Sequence, residues 1–190
     1  SLELQQGVRG YMGTTDASIS AWNPDGNAGT VAELAVRSAN VKSALIRFDL
    51  SAAPVPPEAL ILDVKLGLYV TSGTRQVTFE AYQVLRPWNE NQVTWKVARI
   101  SDPWGIPGCD MVGTDRAADP VAEDAASGAG VWIEFPITDL AADWLSDPET
   151  NHGLLIKMVA DISTEYVFAS SEHWKADWRP KLTIVYAVPY

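Results

Sequence analysis

Apolar side chains in this sequence recur at every second position in short runs, and Gly, Pro, Asn or Asp cuts almost every run off after a few residues. Period-two alternation puts one set of side chains on each side of a pleated strand, so such runs bury their apolar face only by pairing and stacking into sheets. Residues 42–50 are a clean case, with Ala44, Ile46 and Phe48 on one face and Leu45, Arg47 and Asp49 on the other. Residues 76–85 repeat the pattern, setting Val77, Phe79 and Ala81 against Thr78, Glu80 and Tyr82. In residues 59–70 the inward set changes phase between Ile61 and Leu66, which predicts a bulge or bend.

The same reading predicts strands at residues 2–4, 17–22, 31–37, 132–136, 154–159, 165–170 and 181–188. One stretch has a helical spacing instead. Leu140 and Trp144 lie four apart with Ala141 and Leu145 beside them, which predicts a short helix over residues 139–146, capped by the Thr138 hydroxyl and stopped at Asp147-Pro148. Helical crossovers are otherwise absent, so the fold class is all-β, an antiparallel β-sandwich of about nine or ten strands in one domain over residues 1–190. Residues 86–130 lose periodicity and carry Pro87, Pro103, Pro107 and Pro120 with Trp88, Trp95 and Trp104. An irregular stretch of that length is expected to be functional or mobile.

Charge narrows the partners. Fourteen basic residues against 24 acidic ones give a formal charge of −10, which repels phosphate backbones and anionic lipid, so neither nucleic acid nor membrane is expected. No run approaches the roughly 20 apolar residues of a membrane span, and no membrane insertion is expected. Ser1 starts directly in alternation without a basic or apolar leader, which suits the mature form of an extracellular or cell-surface protein. Cys109 is the one cysteine, so no internal disulfide is possible; it reads as a small loop side chain.

Catalytic patterns are thin. A Ser-His-Asp or Cys-His arrangement needs a histidine base, and His152 and His173 are the only two. No spacing singles out a carboxylate pair for glycoside hydrolysis, so no enzyme activity and no catalytic residue is expected. Calcium is the plausible cofactor, with Asp16, Asp25 and Asn27 around the first turn as candidate ligands. Trp174 and Trp178, with His173, Lys175 and Arg179 around them, form the best candidate for stacking on sugar rings.

Several segments, taken in order, resemble one family. They are Leu4-Gln5-Gln6-Gly7, Gly13-Thr14-Thr15-Asp16, Asn27 with Gly29, and Ala44-Leu45-Ile46-Arg47-Phe48-Asp49-Leu50-Ser51. Further on come Trp88-Asn89-Glu90 with Val93-Thr94-Trp95, Asn151-His152-Gly153-Leu154, and Ser170-Ser171-Glu172 before Arg179-Pro180-Lys181-Leu182. In this order they resemble the secreted DNRLRE domains, related to polysaccharide-binding modules found on alginate-degrading enzymes. The resemblance implies a non-catalytic jelly-roll-like sandwich. Basic residues on a sheet face receive acidic sugars in such relatives; the candidates here, Arg47, Lys65, Arg75 and Lys157, are scattered in an acidic chain.

Two functions follow. The first is a structural protein that assembles with copies of itself into a filament or matrix, using strand edges or a terminal strand, with Leu2, Leu4, Val188 and Tyr190 at the contact. It rests on a chain that begins in a strand and ends within a few residues of one. The alternative is a carbohydrate-binding or adhesive module that recognises polysaccharide through loop tryptophans.

Overall fold

The period-two runs form strands, and every strand pairing in the computed structural model, which describes residues 1–189, is antiparallel. The strands are β1 (Leu2–Gln5), β2 (Thr14–Ser20), β3 (Glu33–Arg37), β4 (Lys42–Phe48), β5 (Leu60–Ser72), β6 (Val77–Gln83), β7 (Val97–Arg99), β8 (Asp102–Pro103), β9 (Ala122–Ala126), β10 (Trp132–Pro136), β11 (Leu154–Val159), β12 (Glu165–Ala169) and β13 (Lys181–Ala187). The α-helix α1 (Thr138–Ser146) sits between β10 and β11. It is not long or apolar enough to cross a membrane. The all-β sandwich expected from the alternation is therefore the fold.

Eleven strands make one continuous sheet in the order β1-β13-β5-β12-β3-β4-β11-β6-β9, with β10 added to β5 and β2 to β4. Its first and second halves stack through the main core. Phe79 lies at the centre of that core, edge-on to Tyr166 and Phe168 with both centroids 5.2 Å away. Such pairs add about 0.5–1.5 kcal/mol each beyond the area they bury. The phase change in β5 is a bulge: against β13, Val185 lies opposite Asp63 but Tyr186 lies opposite Ile61, so Leu62 is skipped. Below it Val64, Leu66, Leu68 and Val70 all point into the core.

A second apolar cluster occupies the opposite face of the sheet. Ala17, Ile19, Leu45 and Leu155, each out of phase with the main core, are covered by Val84, Val93, Trp104 and Cys109. The cover is the irregular segment, and an ordered set of bonds holds it down. Asp115, fully buried, accepts from Gly105 N at 2.9 Å, Ile106 N at 3.1 Å and Met111 N at 3.0 Å, and pairs with Arg86. Trp104 Nε1 donates to Thr94 O and Trp88 Nε1 to His152 O. Burial, with Asp115 nearby, pushes the Cys109 thiol well above its usual range, so it is packing material rather than a nucleophile.

The structure departs from the sequence reading in two places. Strands β7, β8 and β9 lie within the segment that shows no alternation, because their pairing is set by the loops around them rather than by an apolar face. Thr138 does not cap α1: the cap position is Ile137, without a side-chain bond, and Thr138 Oγ1 instead accepts from Val64 N, which joins the helix to β5. Leu2 and Leu4, expected at an assembly contact, are opposite Ile184 and Leu182 of the same chain's β13, and Leu4 is buried. β1 is the end strand of the sheet, so among the described residues its outer edge has no strand partner. Val188 is exposed just past β13, and Tyr190 lies outside the described residues.

Asp115→Ala removes the acceptor for three main-chain donors and leaves Arg86 without one of its partners. Breaking a buried charged network of this kind is expected to cost about 3–5 kcal/mol in urea unfolding at neutral pH. A loss below about 1 kcal/mol would show that apolar contact alone holds the segment in place.

Candidate functional site

The segment between β12 and β13 carries Trp174 and Trp178, and its path is fixed from both sides. Ser170 Oγ donates to Val31 O, and Ser171 bonds to Asp16 through both N and Oγ, at 2.8 and 3.0 Å. At the other end Arg179 Nε donates to His173 O and its terminal nitrogen to Gln6 O, while Gln5 Nε2 donates to Arg179 O. Lys175 N donates to His173 Nδ1, and residues 176–178 form one turn of 3₁₀ helix. Arg179 and His173, expected to touch a ligand, are therefore structural staples here: the guanidinium is tied to main-chain oxygens, and the imidazole is buried.

The tryptophans remain outward, and they do not stand alone. Trp174 is 75% exposed. Trp178 stacks on Tyr69 of β5 at 4.6 Å and 26°, and Tyr69 meets Trp132 of β10 edge-on at 5.4 Å. His173 lies 5.4 Å from Trp178 and 5.6 Å from Trp174. The result is a line of rings, Trp132, Tyr69, Trp178, His173 and Trp174, laid across the outer face of β10 and β5 and onto the loop. Tyr69 and Trp132 meet because they are a cross-strand pair.

Glycine makes room for the line at its β13 end. Gly67, on the same face of β5, faces Lys181 on one side and Glu134 on the other. A Cβ there would press on Lys181 Cγ and Trp132 Cε3, both at 3.3 Å. Two cations lie over the rings: Lys175 Nζ is 3.6 Å from the Trp178 centroid and 4.8 Å from that of Trp174, and Lys181 Nζ is 4.5 Å from Trp132. These contacts orient the rings and hold them against rotation. Sequence spacing alone singled out Trp174, Trp178 and Lys175; Tyr69, Trp132 and Lys181 were missed because only the sheet register brings them to the same face.

The candidate metal ligands are divided. Asp25 pairs with Lys96 at the surface, and Asn27 spends its amide on Glu90 O, Val93 O and Gly29 N. Asp16 instead meets Glu90 and Glu172, the three offering carboxylate oxygens within 4.8 Å of one another. Such a trio can hold a hard cation. Burial raises the Asp16 carboxyl well above the usual carboxylate range, and the charge of Glu172 raises it further. Burial also raises Glu90. Both Glu90 and Glu172 sit in segments already singled out as motifs, yet their convergence on Asp16 is set by tertiary structure, with Ser171 binding Asp16 from 155 residues away.

The remaining basic candidates are engaged or dispersed. Arg47 donates to Asn151 O, Lys157 pairs with Asp110, and Lys65 lies near Asp63 and Glu134. Arg75 lies at a separate turn, where its carbonyl accepts from the Tyr166 hydroxyl. Of the four, Lys65 shares the outer face of β5 with Tyr69, four residues along the strand.

Residues 9–99, just under half of the chain, match the model of carbohydrate-binding module family 96. The match supports a relation to carbohydrate-binding modules. No curated protein matches the chain.

Asp16 gives a pH signature. Between the usual carboxylate range and its raised folded value, the folded protein keeps a proton that the unfolded chain has released, so stability falls as pH rises through that window. In EDTA, thermal unfolding of the wild type is expected to show that fall, and Asp16→Asn, which keeps an acceptor for Ser171, to flatten it. Repeating the series in millimolar calcium separates proton sharing from cation holding: a midpoint raised in the wild type and unchanged in Asp16→Asn marks the latter.

Proposed function

We propose that this chain is a non-catalytic carbohydrate-binding module of an extracellular protein, and that it holds polysaccharide on the line of rings running from Trp132 to Trp174. The observation that carries the reading is the line itself: four large aromatic side chains and a histidine, drawn from two strands and a loop, arranged on one face with Trp174 largely in solvent. Trp174 stands in solvent and Tyr69, Trp132 and Trp178 are half-buried beside it, and the ring surface left open can meet the C–H faces of sugar rings. The family match over residues 9–99 supports the same class of ligand. The assembly reading has less behind it, because the family match supports carbohydrate binding alone.

The rings are not coplanar, since Tyr69 and Trp132 are inclined at 64°, and the lysines over them are held by the rings they cover. Lys181 is also within 3.6 Å of Glu3. Recognition would then come from stacking first and hydrogen bonding second, which suits an extended chain lying across the surface. Rigid rings lose little conformational freedom on binding, so stacking is gained at low entropic cost.

Affinity electrophoresis through gels cast with soluble polysaccharides tests this. Trp174→Ala and Trp178→Ala are each expected to weaken retention about three- to tenfold, equivalent to roughly 0.7–1.4 kcal/mol. Tyr69→Ala is expected to weaken it as well, by removing the ring on which Trp178 rests. Unchanged retention in all three variants would overturn the site.

A further inference from the structure

The strands β2 and β3 leave two main-chain edges facing one another at the open side of the sandwich. Ala21 N donates to Val41 O, so the odd-numbered residues of β2 turn their main chain toward β4, and by alternation Ser18 and Ser20 turn theirs away. On the other edge Ser38 N donates to Thr164 O, next to the paired β12, so Leu34 and Val36 bond to β12 while Glu33 and Ala35 face outward. Ala35 N donates to Ser18 Oγ at 2.7 Å, and that bond ties the two edges together. Beside it opens a cleft of about 330 Å³, lined by Ser18, Ser20, Trp22, Asn23, Glu33 and Lys42 among others.

Trp22 stands at this cleft 65% exposed. Arg37 and Lys42 hold it by cation–π contact, at 4.6 and 5.4 Å from the ring centroid. Lys42 is paired with Glu165, Arg37 donates to Ser163 Oγ, and Glu33 lines the wall, so two acids stand beside the two cations. What remains is an aromatic ring, hydroxyl and amide side chains, and main-chain donors and acceptors of two strand edges. An extended peptide needs an uninterrupted edge, and the Ser18–Ala35 bond breaks this one. A sugar ring needs closely spaced donors and acceptors with one apolar wall. Every residue that lines the cleft falls inside the matched segment 9–99, whereas Trp174 and Trp178 lie outside it.

We propose that the cleft between β2 and β3 is a second saccharide site, which takes one or two rings of a neutral oligosaccharide between Trp22 and the outward main-chain groups of Ser18 and Glu33, with the N–H of Ser20 beside them. The inference rests on the carbohydrate reading above but not on the line of rings. Two-dimensional NMR of the ¹⁵N-labelled chain tests both, with cellohexaose, xylohexaose and mannohexaose as probes. Single Trp→Ala variants assign the indole signals of Trp22, Trp132, Trp174 and Trp178. The Trp22 signal is expected to shift saturably with at least one probe, and Trp22→Ala to weaken binding at the cleft about tenfold or more. Trp174→Ala should leave the Trp22 shift unchanged.

A Trp22 signal that stays still while those of Trp132, Trp174 and Trp178 move overturns the cleft and leaves the platform standing. A Trp22 shift with the platform indoles unmoved upholds the cleft and overturns the platform. If no indole moves with any probe, both are overturned. Glu33→Gln, which keeps the cleft's shape, is a second variant expected to weaken the Trp22 response without altering the unbound spectrum beyond its neighbours.

Discussion

Strand β5 is the constraint on which the rest of the architecture depends. Its thirteen residues lie between β13 and β10 along the first part, and its final residues pair with β12, so one strand serves both halves of the sheet. A strand with two such neighbours has to be apolar on its inner face over most of its length and has to turn. Val64, Leu66, Leu68 and Val70 meet the first demand, and the bulge at Leu62 adjusts the register at its start. Because the inner face is fixed, the outer face is fixed too: Lys65, Gly67 and Tyr69 point away from the core at alternate positions. The aromatic platform is a consequence of that alternation, since Tyr69 has nowhere to go but outward, against Trp132 and Trp178.

The second organising contact joins distant parts of the chain at a single carboxyl. Asp16, on β2, accepts two bonds from Ser171 at the start of the tryptophan loop, and its own N–H donates to Glu90 at the start of the irregular segment. A buried acid with two acidic neighbours is costly, as the raised affinity for its proton shows. The site persists because the same oxygens fix where two loops leave the sheet. Loss of order at Asp16 would release the loop that presents Trp174 and the edge that borders the cleft, so the two proposed surfaces share one structural support although they share no ligand contact.

The fold was largely legible in the sequence, and the site only in part. Alternation in residues 42–50 and 76–85 is a local property, and both became strands with the inward faces expected. The phase change before Leu66 was equally local and became the bulge. Leu45 shows where such reading stops: its face looked mixed because the apolar cover arrives from Val93, Trp104 and Cys109, far along the chain and without a period of its own. Thr138 carried the chemistry of a cap, yet its hydroxyl had a better partner in Val64 N on β5. Trp174 and Trp178 were legible as aromatics in a polar loop. Tyr69 and Trp132 were not, because alternation names the face a residue takes but not which strand lies beside it. Asp16 was named as a calcium ligand beside Asp25 and Asn27 of the adjacent turn, whereas the acids that meet it, Glu90 and Glu172, lie in two remote loops.

Electrostatics bears on what the two surfaces would hold. The chain as a whole carries −10, so an anionic polymer meets repulsion at long range before any contact forms. At short range the cations near both surfaces already have contacts: Lys175 and Lys181 lie over indole rings, Lys181 is also near Glu3, Lys42 is paired with Glu165, and Arg37 lies over Trp22 and donates to Ser163 Oγ. A lysine held over a ring has less freedom to follow a ligand carboxylate, and one paired with an acid must give up that partner to do so. Neutral sugars face neither cost. They need apolar faces to stack on and alternating donors and acceptors to bond with, and these are what the ring platform and the β2–β3 cleft respectively present. The line of rings has extent but few polar groups; the cleft has polar groups but room for only a ring or two. A polysaccharide that lay along the first and placed a chain end or branch in the second would engage both, and linking two modest sites on one rigid body raises overall affinity well beyond either alone when the ligand can span them.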